Sequence, residues 1–297
     1  MAMQKMVHIR TGVKTTFKLG LAFGLVAWLV SRGSLDLSQL LREVRWFHFL
    51  GGIVICLVML GLNNWRWFLL LRKQGIDMSF SQVFRLTMIG QFFNYMVPGG
   101  VGGDVVKGYY LVRDPQQNRV DAVMSIVMDR AIGFWAMSFM ALVSLCFQWH
   151  WILQNSKIFW LAVIVAGLFS LLTSLFALII FVSDVAVKDQ FGFVLRNRIG
   201  KLYLRFHRSA HVFSQNYGVL FKAFILSLAS QSVAITFLIL ASKIQGVDAL
   251  DLAAYFFIIP MGFIAMSLPI APAGIGVGQA VLFFLFQAVL GVESSVA

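Results

Sequence analysis

The sequence predicts an all-helical, polytopic integral membrane protein of two inverted-topology repeats, and three observations lead there. Of its 297 residues 60% are hydrophobic and only 12% charged, more apolar surface than one soluble domain can hide. Apolar runs long enough for a bilayer recur along the chain. Two further regions, 80–110 and 251–291, are apolar but broken in their middle by Pro and Gly.

The first span is 17–31. Lys5, Arg10, Lys14 and Lys18 precede it, and "AWLVSRGS" lacks the small residues of a signal-peptidase site, so a retained helix is expected. It is short, which leaves Lys18 and Arg32 to snorkel to the two interfaces. The second span is 47–71, where Asn63, Asn64 and Arg66 beside Trp65 and Trp67 have the pattern of an aromatic interface belt. In the first broken region Thr87, Gln91 and Asn94 are spaced i, i+4, i+7 and line one helix face leading into the break.

The next span, 122–149, is interrupted by Asp129 and Arg130, expected about two turns in from its cytoplasmic end. Each charge costs roughly 2.5–3.5 kcal/mol at a helix centre. Neighbours point about 100° apart, so these two need other partners. Lys107 with Asp129, or Arg130 with Asp104, are the candidates, and either a binding site or a plain helix-packing ion pair accounts for them. Spans 157–183 and 219–241 follow. In the latter Ser227, Ser230 and Gln231 form a milder polar cluster suited to helix–helix hydrogen bonding.

Lys and Arg orient the spans, because the cytoplasmic side collects them. The stretch 188–222 is rich in Lys and Arg and nearly free of acid, so it is placed inside. Counting back from it and forward from a cytoplasmic N-terminus agree only if 80–110 enters and leaves on the same side. That region is then a re-entrant hairpin, or a pair of helices, opening to the cytoplasm. Eighteen of the 24 basic residues fall inside and five outside (Arg32, Arg42, Arg45, Lys157, Lys243), with Arg130 within a helix.

By the same count 251–291 starts and ends outside. Its centre, "PAGIGVGQA" (Pro272 to Ala280), shares Pro, a small residue, Gly, a β-branched residue and Gly in register with "PGGVGGDVV" (Pro98 to Val106), 174 positions earlier. The order of spans around the two breaks repeats as well, with opposite orientation. Inverted repeats of this kind place a substrate site between broken helices near the midplane. One membrane domain, 1–297, is therefore expected, with repeat one at about 14–150 and repeat two at about 157–297, the latter containing a basic cytoplasmic linker at 184–218. The repeat also calls for a helix after the second hairpin, whereas the chain stops at "GVESSVA": a truncated chain, or a second half without its final helix, is expected.

Non-helical backbone at membrane depth is tolerated only where protein or water satisfies its polar groups. The breaks thus imply a polar cavity, and a helix starting near Gly102 to Asp104 would aim N–H groups at an anionic headgroup. The candidate site is Asn94, Pro98, Gly99, Gly100, Gly102, Gly103, Asp104, Lys107, Asp129 and Arg130 from the first half, with Pro272, Gly274, Gly276 and Gln279 from the second. A nucleotide phosphate loop is excluded, since it needs a Gly-Lys-Ser/Thr ending after a strand. Cys56 and Cys146 lie in apolar runs and read as buried thiols, with no metal or disulfide spacing. The five histidines are scattered near expected membrane boundaries, where interfacial packing outranks metal ligation. No metal, cofactor or catalytic residue is called for.

The segments "FFNYMVPGGVGGDVVKGYYLVRD", "SIVMDRAIGFW" and "PIAPAGIGVGQAVLFFLF" resemble the lysylphosphatidylglycerol synthase transmembrane-region family, also described as flippase-like membrane proteins. The resemblance spans nearly the whole chain. Its most specific piece is PGG-x-GGD-x-x-K, which carries over Asp104 and Lys107, and Asp129-Arg130 matches an acidic-Arg pair in the next helix. The family includes the membrane half of the bacterial multiple peptide resistance factor, which moves aminoacylated phosphatidylglycerol between leaflets. A soluble aminoacyltransferase domain has no room in 297 residues, so lysyl transfer is not implied.

The function expected is translocation or binding of a phospholipid, or of a lipid-linked sugar, with an anionic or zwitterionic headgroup. The partners are membrane lipids and not nucleic acid, in a bacterial cytoplasmic membrane with the N-terminus inside. Two alternatives stand beside it: a membrane-embedded transferase with Asp104 and Asp129 as working carboxylates, and a non-transporting partner of a cell-envelope enzyme, docked through 188–222.

Overall fold

The structure is a computed structural model that describes residues 46–96, 101–113, 118–154, 156–181, 198–214, 216–244, 252–267 and 277–290. Span 17–31 and the centres of both breaks, including Pro98, Gly99, Gly100, Pro272, Gly274 and Gly276, lie outside them. The described residues form helices α1 (Trp46–Lys73), α2 (Phe80–Met96), α3 (Gly102–Val112), α4 (Arg119–Phe147), α5 (Trp149–Gln154), α6 (Ser156–Phe181), α7 (Arg198–His211), α8 (Tyr217–Ile244), α9 (Leu252–Met266) and α10 (Val277–Leu290). No strand occurs among the described residues. By length and composition four helices can cross a membrane, within α1, α4, α6 and α8.

Helix α4 is the hub, touching α1, α3, α6, α7, α8 and α9. Its start is fixed by Asn118, whose side chain accepts from the Val120 N–H, with Asp121 in the first turn against the helix dipole. Close packing follows from small residues: Ala122, Ser125, Gly133, Ala136, Ser138, Ala141 and Ser144 of α4 are all buried, which lets neighbouring backbones approach. Its N-terminal half shares a core with α1, α2 and α3 (Trp67, Leu71, Val83, Leu111, Ala122, Ile126). Its C-terminal half packs on α6, α9 and α10 (Leu145, Ile158, Phe257, Leu285).

Side-chain contacts give the relative directions. Helices α1 and α8 are antiparallel, with Asn63 Nδ2 donating to Ser230 Oγ at 3.0 Å and Arg66 Nη1 to Ser227 Oγ at 2.8 Å. Helix α4 runs against α6, where Trp135 Nε1 donates to Thr173 Oγ1 at 2.9 Å and Leu145 shares a core with Ile158. It also runs against α9, with Ser144 Oγ donating to the Ala253 carbonyl at one end and Met137 and Met266 lining the same cavity at the other.

Helices α2 and α3 fold back on each other across a glycine seam. A Cβ on Gly103 would overlap the Gly90 carbonyl oxygen and lie 2.7 Å from Asn94 Oδ1. Helices α9 and α10 do the same: a Cβ on Gly262 would run into Leu282, and one on Gly278 into Met266. Each of the two broken regions is thus an antiparallel helix pair held by one glycine from each arm.

Helix α7 is short and amphipathic. Its Ser209 and Ala210 are buried while Arg205 and Arg208 are exposed, and Gln74, just past α1, donates to the Ser209 carbonyl at 2.9 Å. Two expectations are corrected. Cys56 and Cys146 are exposed, not buried; in a membrane chain the outer surface is apolar too, so apolar neighbours do not indicate the interior. Trp67, read as part of an interface belt, is 1% exposed, whereas Trp65 is 52% exposed. Two residues apart on a helix, they point about 200° away from each other.

Candidate functional site

A cavity of about 350 Å³ lies between α1, α2, α3, α4, α8 and α9. Its charged wall is Arg66, Asp104, Lys107, Asp129 and Arg130, and its polar wall includes Asn63, Thr87, Gln91, Asn94 and Gln231. Phe134, Met137, Phe263 and Met266 close the apolar side.

Helix α2 supplies the polar stripe. Thr87, Gln91 and Asn94 all reach the cavity, as their spacing requires. Asn94 Nδ2 donates to Gln91 Oε1 at 2.9 Å, and Asn94 Oδ1 accepts from the Gly103 N–H at 2.8 Å. That second bond caps the α3 helix from outside its own segment, so part of the positive end expected to face a ligand is already answered by Asn94. Gly102 and Gly103 are buried, and their part is the close approach of α3 to α2.

The ion pairs resolve the alternatives. Arg130 Nε donates to Asp104 Oδ2 at 2.6 Å, with the Asp104 side chain 15% and the Arg130 side chain 40% exposed. Asp129 does not pair with Lys107. Its carboxylate receives both Arg66 Nε at 2.7 Å and Arg66 Nη2 at 3.0 Å, the two-pronged geometry that suits guanidinium and carboxylate. Arg66, read as an interface residue and counted with the cytoplasmic charges, is therefore an interior side chain. Arg66 Nη1 also donates to Ser227 Oγ of α8 at 2.8 Å, and the guanidinium packs along Gly133 of α4, where an added Cβ would be in ordinary contact with it at 3.5 Å. Helix α4 begins at Arg119, so Asp129 lies about 15 Å along it.

Lys107 forms no ion pair among the described residues. Its ammonium lies 4.4 Å from the centroid of the buried Trp67 ring, a cation–π contact. Three cations against two carboxylates leave the cavity wall one positive charge in excess. Gln231 also lines the cavity; its Oε1, like Asn64 Nδ2, is buried and has no hydrogen-bond partner among the described residues. Gln279 is exposed on α10 and is not part of the cavity wall. No group of three or more His, Cys, Asp or Glu able to hold a metal ion occurs among the described residues.

Sequence reasoning missed Arg66 and Asn63 as cavity residues, while Ser227 and Ser230 do bond between helices as expected. The available signal was a charge seven residues short of the end of α1, preceded closely by two adjacent amides.

No curated protein and no solved structure matches the chain. The family model described as the lysylphosphatidylglycerol synthase TM region matches residues 16–297. That match takes in α1 to α10 and every residue of the cavity wall, and the chain belongs to the lysylphosphatidylglycerol synthase transmembrane-region family.

Proposed function

We propose that this membrane protein binds a phospholipid or lipid-linked sugar by an anionic or zwitterionic headgroup in the cavity and passes it between leaflets. The observation that carries this is the convergence of five charged side chains, in excess of one cation, on one cavity among apolar helices. Such charges are costly in a bilayer and mark substrate pathways. The family's lipid-related name agrees with it.

Reading the two short helix pairs as halves of an inverted repeat supports an alternating mechanism. Helices α2 and α3 have 17 and 11 residues, α9 and α10 have 15 and 14, each short of the roughly 20 residues of a crossing. If α4 runs outward, the antiparallel contacts send α1, α3, α6 and α9 inward and α2, α8 and α10 outward. This agrees with the Lys and Arg count. The two helix pairs then open to opposite sides, with the cavity reached by α2 and α3 from one and α9 from the other. Cysteines introduced at positions 113 and 205 are expected to be labelled only from the cytoplasm, and at 157 only from outside. Labelling of position 113 from outside would exclude the inverted repeat.

Reconstitution with labelled phospholipids and lipid-linked sugars tests transport directly. In the same vesicles Lys107→Gln is expected to weaken binding of phosphatidylglycerol at least fivefold more than that of phosphatidylcholine, because a Coulomb term in a partly dry cavity exceeds its value in water severalfold. Equal weakening of both lipids removes Lys107 from the headgroup site.

A further inference from the structure

Lys107 sits one turn after Asp104 on α3, the i, i+3 spacing at which an acid and a base on one helix ordinarily pair. It does not take that partner. Asp104 accepts from Arg130 instead, and the Lys107 ammonium lies 4.4 Å from the centroid of the Trp67 ring on α1.

Three features hold it there. The Lys107 stem runs through the gap that α2 leaves at Gly90, where an added Cβ would come within 3.0 Å of Lys107 Cε and 3.3 Å of its Cγ. Trp67 is 1% exposed in the core shared by α1 to α4, so its ring has no room to swing away. Its Nε1 donates to Ser125 Oγ at 3.4 Å, which fixes the ring's orientation from α4. Trp67 does not itself line the cavity, whereas Lys107 does.

An aromatic face attracts a cation through its quadrupole and carries no net charge. Pairing with Asp104 would instead set the ammonium directly against a carboxylate and use its donors there. We infer that Trp67 is a positioning residue, which holds Lys107 off Asp104 and so keeps one cation of the cavity wall open to an anionic group of the substrate. This rests on the headgroup-binding reading and adds to it a residue outside the cavity.

The ring also supplies the test. Lysine ε-methylene protons over an indole face resonate upfield, and in full-length protein carrying isotope-labelled lysine, in phosphatidylcholine nanodiscs, Lys107→Gln identifies the resonance. An upfield position is expected in the wild type and an ordinary one in Trp67→Leu, and phosphatidylglycerol added to the discs is expected to move the wild-type resonance. Trp67→Leu is expected to cut the preference for phosphatidylglycerol over phosphatidylcholine by about as much as Lys107→Gln does, roughly fivefold, and the two changes together to cut it no further, since one acts through the other. Trp67→Phe, which keeps a ring face, is expected to retain most of the preference. An ordinary resonance position in the wild type, or one that phosphatidylglycerol leaves unmoved, overturns the inference without any variant, so a folding defect in Trp67→Leu does not shield it. Additive losses in the double variant also overturn it, because Trp67 would then act by packing alone. If the upfield resonance is present but Lys107→Gln changes no lipid preference, the headgroup reading falls and takes the inference with it, an outcome distinct from loss of the ring contact.

Discussion

Asp129→Asn is expected to collapse the folded yield of the protein, with a loss of about 3–5 kcal/mol in stability. The Arg66 guanidinium, 9% exposed, would keep its charge and lose its counter-charge in a largely desolvated position. Arg66→Met leaves the opposite defect, an isolated carboxylate, and is expected to cost a similar amount. Replacing both, as Arg66→Met with Asp129→Leu, is expected to restore most of the yield, since an apolar pair of similar volume is often as stable as a buried ion pair. Size-exclusion profiles in detergent measure yield, and phosphatidylglycerol binding by the rescued protein gives the second reading. Rescue of yield without lipid binding assigns the pair to the site. Rescue of both makes it a packing device.

The second large effect lies at the α2–α3 seam. Gly103→Leu is expected to abolish lipid binding and transport while the protein still inserts, and Gly103→Ala is expected to lower thermal stability by at least 2 kcal/mol, within the usual range of overpacking. Even one methyl would overlap the Gly90 carbonyl and displace the Asn94 side chain that caps α3. Gly108→Ala is the matched control on the same helix. Its Cβ would meet only Ile126 Cδ1 at 3.7 Å, and the change is expected to be neutral or slightly stabilising through helix propensity. Unchanged melting of Gly103→Ala would show that the seam yields easily.

Much of this arrangement was legible in the residues. The stripe Thr87, Gln91, Asn94, the helix start near Gly102 and the Arg130–Asp104 pair all follow from spacing or from the small choice of partners. What spacing cannot tell is which apolar side of a helix faces the interior. In water the polar face marks the outside; in a bilayer the outer face is apolar, and in α8 the inward side is marked only by Ser227, Ser230 and Gln231 among apolar residues, with Phe221 exposed and Ala223 buried. The partner of Asp129 was hidden for that reason. Arg66 between two tryptophans has the local look of an interface anchor, and only the packing of α1 against α4 and α8 reveals that it turns inward with Trp67.

The bond between Arg66 and Asp129 spans 63 positions of sequence, and this separation sets a timetable during biosynthesis. At roughly 5–20 residues per second, α1 emerges about 3–13 s before the carboxylate that will neutralise it has been made. Ser227 arrives later still, 161 positions after Arg66. Through that interval the guanidinium must wait near the headgroups, within reach because it lies only two turns from the Arg72–Lys73 end of α1. Helix α1 therefore settles to its final depth only when α4 arrives, and a ribosome stalled before residue 129 would hold a half-seated helix for the membrane quality-control proteases to find.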